Sequence, residues 1–130
     1  MRRVADIMSR DVVSFAPETE ILRAVEVLVA RGISGAPVVD ADGRVLGMLS
    51  QKDCLRAAIE GAYHREWGGP VSAVMSRDVK SLPPDLDLLG AARVFAQDPY
   101  RRYPVVSDGR LLGMVSRSDV LAGLLASWAE

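Results

Sequence analysis

Two four-residue segments carry the side chains best suited to chemistry: Ser50-Gln51-Lys52-Asp53 and Ser116-Arg117-Ser118-Asp119. Each reads as the start of a helix. A serine hydroxyl at the N-cap accepts a free backbone N–H, and an aspartate three residues on accepts the N-cap N–H in return. That arrangement stabilises any helix by about 0.5–2 kcal/mol and needs no ligand. The same geometry has a second use. Free N–H groups at a helix N-terminus suit a phosphate, and a carboxylate can accept both hydroxyls of a vicinal diol. Spacing alone leaves both readings open. Lys52 adds a cation at one helix start, although a lysine there is ordinarily only solvated.

A third candidate is Arg101-Arg102, directly before Tyr103-Pro104. The guanidinium fork matches phosphate oxygens, yet most surface arginine pairs are simply solvated. Other chemistry is poorly supplied. The single cysteine, Cys54, excludes an internal disulfide and a multi-cysteine zinc site, and reads as a small core residue. The single histidine, His64, excludes a multi-histidine metal site. No nucleophile triad, phosphate loop or GxGxxG stretch appears, so neither catalysis nor a metal is expected. Sixteen Lys+Arg against seventeen Asp+Glu give a net charge of −1, too little positive charge to grip a nucleic acid. No apolar run approaches the length of a membrane span, and no apolar leader follows the first residues. The expectation is a cytoplasmic protein with neither nucleic acid nor membrane as partner.

The elements that must hold these residues are written twice. Met8-Ser9-Arg10-Asp11-Val12 returns as Met75-Ser76-Arg77-Asp78-Val79, and Pro37-Val38-Val39 returns as Pro104-Val105-Val106. Gly43-Arg44-Val45-Leu46-Gly47-Met48-Leu49-Ser50 returns as Gly109-Arg110-Leu111-Leu112-Gly113-Met114-Val115-Ser116. The shift drops by one residue inside a turn, where length changes cost least. In the first copy, Val12-Val13-Ser14-Phe15 reads as a strand. A helix follows, with Thr19 as its N-cap and one buried face of Ile21, Leu22, Val25, Leu28 and Val29. Gly32 ends it. Ala36–Val39 and Val45–Leu49 form a hairpin around Asp40–Gly43. A last helix starts at Ser50 and runs through Leu55, Ala58 and Ile59. The second copy predicts a strand at 79–82, a helix at 86–96, strands at 103–107 and 111–115, and a helix over 116–128. The methionines Met8, Met48, Met75 and Met114 read as core filler. The order is β-α-β-β-α in each copy, an α/β (α+β) class. A copy of this size is marginal alone, so the two are expected to pack through their sheets.

This pattern resembles the tandem CBS domain pair, also called a Bateman module. Ala36-Pro37-Val38-Val39-Asp40, Gly43, Leu46-Gly47-Met48-Leu49-Ser50 and Asp53 carry the resemblance in the first copy. Tyr103-Pro104-Val105-Val106, Gly109, Leu112-Gly113-Met114-Val115-Ser116 and Asp119 carry it in the second. The resemblance implies two CBS motifs, at 1–62 and 71–130, joined by a linker at 63–70. It implies a non-catalytic regulatory module that binds an adenosine-containing ligand in clefts between the motifs, with AMP, ADP or ATP favoured and no other cofactor. Asp53 and Asp119 would then take the ribose. Arg101, Arg102, Ser50, Ser116, Lys52 and Ser118 would face phosphates. One cleft would join Ser116, Ser118 and Asp119 to Ser14 and Ile33-Ser34-Gly35. The other would join Ser50, Lys52 and Asp53 to Ser81 and Tyr100-Arg101.

The helices also carry apolar residues beyond what one core needs, among them Leu22, Val25, Val29, Leu121, Leu124 and Leu125. A homodimer through the helices is therefore expected, and a ligand-free dimerisation module is the alternative function. In the linker, Tyr63 and Trp67 flank His64 as a packing or partner-facing patch. Trp128 is expected to cover the last helix or to meet a second copy. The regulated partner is not legible.

Overall fold

The structure, a computed structural model, describes residues 2–64 and 67–129. Arg65 and Glu66 of the expected linker lie outside the described residues, as do Met1 and Glu130. The elements run α1 (Val4–Ile7), α2 (Ile21–Arg31), β1 (Gly35–Val39), β2 (Val45–Ser50), α3 (Gln51–His64), a 3-10 turn (Val71–Ala73), α4 (Leu88–Gln97), β3 (Arg102–Ser107), β4 (Arg110–Ser116) and α5 (Arg117–Trp128). They fall into two compact units. One comprises 13–79, the other 1–12 with 80–130.

In the unit 13–79, β1 and β2 pair antiparallel, with Gly35 opposite Ser50 and Val38 opposite Gly47. Asp40 shapes the turn, since its carboxylate accepts the N–H groups of Asp42 and Arg44, both at 2.9 Å. Gly43 supplies the left-handed residue at φ 82°. Phe15, Ala24, Leu28, Ala36, Val38, Leu49, Cys54, Val71 and Met75 close the core. In the other unit, β3 and β4 pair in the same way, with Arg102 opposite Ser116. Its core is built on Val4, Leu82, Ala91, Phe95, Tyr103, Val105, Val115 and Val120.

The Met-Ser repeat explains why the units cut across the sequence copies. Ser9 exchanges two backbone hydrogen bonds with Met114 on β4, at 2.8 and 2.9 Å, and Ser76 does the same with Met48 on β2. Each copy's Met-Ser segment thus lies against the hairpin of the other copy. The glycines permit it. A Cβ on Gly113 would sit 2.5 Å from the Ser9 carbonyl oxygen, and one on Gly47 would sit 2.5 Å from that of Ser76.

The strands expected at 12–15 and 79–82 shrink to single parallel bridges, Phe15 to Val38 and Leu82 to Val105. The cause is proline on both sides. Phe15 donates to Pro37 and accepts from Val39, at 3.0 and 2.8 Å. The ladder's next donors would be the N–H groups of Pro37 and Pro17, which do not exist. Leu82 is confined likewise by Pro104 and Pro84.

Thr19 does not cap α2. Its hydroxyl accepts the Ala16 N–H at 3.1 Å inside the preceding turn. Glu20 is the cap residue but makes no side-chain cap bond, its carboxylate accepting the Gly69 N–H at 3.2 Å, and the Ile21 N–H donates to the Gly69 carbonyl at 2.9 Å. Gly32 ends the helix in the left-handed region, as expected. The helix expected from residue 86 starts at Leu88, because Asp87 caps it by accepting the Gly90 N–H at 2.7 Å. Only Ile21, Ala24 and Leu28 are buried on α2, while Leu22 and Val29 are exposed. The buried stripe is the narrow i, i+3, i+7 line, and the residues beside it face outward.

Candidate functional site

Both Ser-x-x-Asp segments form complete capping boxes. The Ser50 N–H donates to Asp53 Oδ2 at 2.9 Å, and the Asp53 N–H donates to Ser50 Oγ at 3.0 Å. The Ser116 N–H donates to Asp119 Oδ2 at 2.8 Å, and the Asp119 N–H donates to Ser116 Oγ at 3.1 Å. The cap uses one carboxylate oxygen and leaves Oδ1 of each aspartate to other partners. At Asp53 that oxygen faces the Arg56 guanidinium at 3.6 Å. At Asp119 the residue one turn on is Ala122, and Oδ1 has no cationic partner among the described residues. The two sites are therefore chemically unequal. Arg56 lies outside the sequence expectations, although its i, i+3 spacing from Asp53 on one helix was a readable signal.

Hairpin register sets Ser34 and Gly35 beside the helix start at Ser50, and Arg101 and Arg102 beside that at Ser116, each within its own copy. The resemblance instead joined Ser34-Gly35 and Arg101 to the helix start of the other copy. Gly35 is opposite Ser50, and the Ser34 carbonyl accepts the Gln51 N–H at 2.8 Å. Ser14, Ile33, Ser34 and Gly35 thus share a unit with Ser50, Lys52 and Asp53. In the second unit Arg102 is opposite Ser116, and the Arg101 carbonyl accepts the Arg117 N–H at 3.0 Å. Ser81, Tyr100, Arg101 and Arg102 share that unit with Ser118 and Asp119. Lys52, Ser118, Ser14, Ser34, Ser81, Tyr100, Arg101 and Arg102 are all exposed. Asp53 is the one buried charged side chain among the described residues, at 8% exposure. Arg101 and Arg102 make no salt bridge among the described residues.

Tyr103 was expected only as a strand residue. Its hydroxyl donates to Asp98 Oδ2, and its ring meets those of Phe95 and Tyr100 at 5.1 and 5.7 Å. Burial, then the bond to Asp98, raises its pKa above the ordinary tyrosine range. Lys80 Nζ lies 5.7 Å from the ring centroid of Tyr100, the residue before Arg101, a cation–π contact. Nothing local in the sequence signals the Lys80–Tyr100 pair, since the fold alone joins them. Cys54 is buried as expected, and burial, then the neighbouring Asp53 charge, raises its thiol pKa. Among the described residues no group of three His, Cys, Asp or Glu is placed to hold a metal. No helix among them is long and apolar enough to cross a membrane.

The CBS domain model matches twice, over residues 4–60 and 71–126. The chain belongs to the CBS domain family. This CBS pair is 31% identical to the CBS domain-containing protein YhcV of Bacillus subtilis, over 98% of the chain and 89% of that protein. It is 29% identical to an uncharacterised protein of Methanocaldococcus jannaschii, over 97% of the chain. The chain spans 44% of that relative's length, so it corresponds to less than half of it. Among solved structures, CBSX2 in complex with AMP is similar at TM-score 0.84 and 27% identity, covering 98% of this chain and 99% of that one.

Proposed function

We propose that this CBS pair is a cytoplasmic, non-catalytic sensor of an adenosine-containing ligand, with AMP, ADP or ATP favoured. Asp53 and Asp119 take the ribose hydroxyls. Arg101 and Arg102 meet phosphate, joined by the helix starts at Ser50 and Ser116, with Lys52 and Ser118 beside them. Ser14, Ile33, Ser34, Gly35, Ser81 and Tyr100 supply the adenine surroundings. The observation that carries the reading is Oδ1 of Asp119, which the cap leaves without a cationic partner among the described residues. A charged acceptor fixed at a helix start is pre-organised for a diol, so its rotamer is not ordered at the moment of binding. The likeness to CBSX2 in complex with AMP supports the ligand class. Exposed Arg101 and Arg102 favour a phosphate-bearing ligand over S-adenosylmethionine.

The signal passes as a change in conformation or dimer geometry to a regulated partner, and it requires unequal ligand affinity for two states. A homodimer through the helices is part of this reading. Exposed Leu22, Val29, Leu55, Ile59, Leu121 and Leu125 support it. Those same residues would serve a ligand-free dimerisation module. Calorimetry on nucleotide-stripped protein with AMP, ADP, ATP and S-adenosylmethionine separates the two. Micromolar binding of a nucleotide, about −8 kcal/mol, is the expected result. Self-association with neither heat nor thermal shift for any of the four ligands would favour the dimerisation module instead.

A further inference from the structure

Two features of the helices have no counterpart within their own unit. The first is a hole. In the unit 13–79, α2 and α3 leave an apolar cavity of about 170 Å³, lined by Val25, Leu28, Cys54, Ala58 and Trp67 with Gln51 at its edge. A dry apolar cavity of about 150 Å³ accepts one aromatic ring. The second is a knob. Trp128, at the end of α5, is 84% exposed and continues an exposed i, i+4, i+7 stripe from Leu121 and Leu125. It does not cover its own helix. From Val120 to Ala129 the sequence holds no charged residue, which is unusual for a helix with a solvent-facing side.

The sequence repeat shows that hole and knob are separate specialisations. Ala58 and Cys54 correspond to the larger Leu124 and Val120 in the second copy, and Leu124 packs against that unit's core. Trp128 corresponds to Ala62 in the first copy. One copy therefore has the room and the other has the ring. Leu55 and Ile59 correspond to Leu121 and Leu125, and all four are exposed.

We infer that the occupant of the cavity is Trp128 of a second copy of this chain, so that α5 of each protomer lies on the α2–α3 face of its partner. The inference rests on the homodimer reading above. Under a two-fold axis the contact is made twice, and the assembly closes. Trp67 offers the entering indole an aromatic partner. Gln51 supplies its hydrogen bond. The Gln51 Nε2 already donates to the Ile33 carbonyl at 2.8 Å, and Gln51 is among the cavity's lining residues, so its Oε1 is the group to accept the indole N–H.

A complementation experiment tests this. Trp128→Ala removes the knob, and Ala58→Leu fills the hole with the second copy's own residue. Sedimentation equilibrium on each variant alone should show dimerisation at least ten-fold weaker than wild type. A mixture of the two should favour the mixed dimer over both homodimers, because it restores one intact knob-in-hole contact. A wild-type dimer without that preference overturns the inference and leaves the homodimer reading standing. A wild-type chain that stays monomeric overturns both. Should Ala58→Leu fail to fold, Trp67→Phe leaves Trp128 as the sole indole. Its emission should shift to the blue as concentration rises through dimerisation, and solvent-exposed emission in the dimer overturns the inference.

Discussion

Asp119→Asn separates the two roles of one carboxylate. In the protein, Asp119 Oδ2 accepts the Ser116 N–H at 2.8 Å. Asparagine retains one oxygen for that bond, but turns the second position into an N–H donor and removes the charge. Asparagine caps helices about as well as aspartate. The stability loss is then confined to the charge–dipole part, about 0.3–1 kcal/mol. At about 4 °C per kcal/mol for a chain of this size, the melting temperature should fall by at most about 4 °C. Binding should change far more. A hydrogen bond to a charged group contributes about 1.5–3 kcal/mol, and a donor set against a hydroxyl donor loses it. That is about a 10- to 150-fold loss of AMP affinity, read by calorimetry. Asp119→Ala should lose the affinity and also about 0.5–2 kcal/mol of stability, because the cap goes with it. If Asp119→Asn bound AMP as tightly as wild type, the carboxylate would be a helix cap alone and the ribose assignment would be refuted.

Three further outcomes follow from the geometry. Arg56 holds Asp53 Oδ1 at 3.6 Å, so removing it should free that oxygen: Arg56→Ala should change stability by less than about 1 kcal/mol, and in titration of the Asp119→Ala background it should strengthen the remaining AMP binding. Gly113→Ala and Gly47→Ala each press a Cβ to 2.5 Å from a backbone oxygen, so each should cost about 1–3 kcal/mol by overpacking, measured by urea denaturation, and equal stability would refute the close approach. Alkaline pH should destabilise the protein. The Cys54 and Tyr103 pKa values are both raised above their ordinary 9.0 and 10.0 in the folded chain, so the unfolded chain releases those protons first and stability is lost as pH rises through that range. Melting curves from pH 8 to 11 should show the fall, and Tyr103→Phe should remove its upper part.

The sequence was enough to place the repeat, the hairpins and both helix starts, because their signals are local. A serine and an aspartate three residues apart form a capping box with no help from the rest of the chain, and Asp40 to Gly43 contains its own turn chemistry. Gly32 likewise ends α2 by its own backbone freedom. The first strand of each copy was misread for a reason also present in the sequence, the prolines at 17, 37, 84 and 104, which matter only once the parallel partner is known. Thr19 lost the cap to a neighbouring turn and to the distant Gly69 carbonyl. Tertiary structure alone decided which glycines lie under a Met-Ser segment, that Tyr103 reaches Asp98, and that Lys80 stands over Tyr100. It also decided which apolar helix residues face outward. Periodicity locates an apolar stripe about a helix axis, but its width against a given core depends on what packs there. Leu22 and Leu28 read alike in the sequence, and only the fold buries one and leaves the other at the surface.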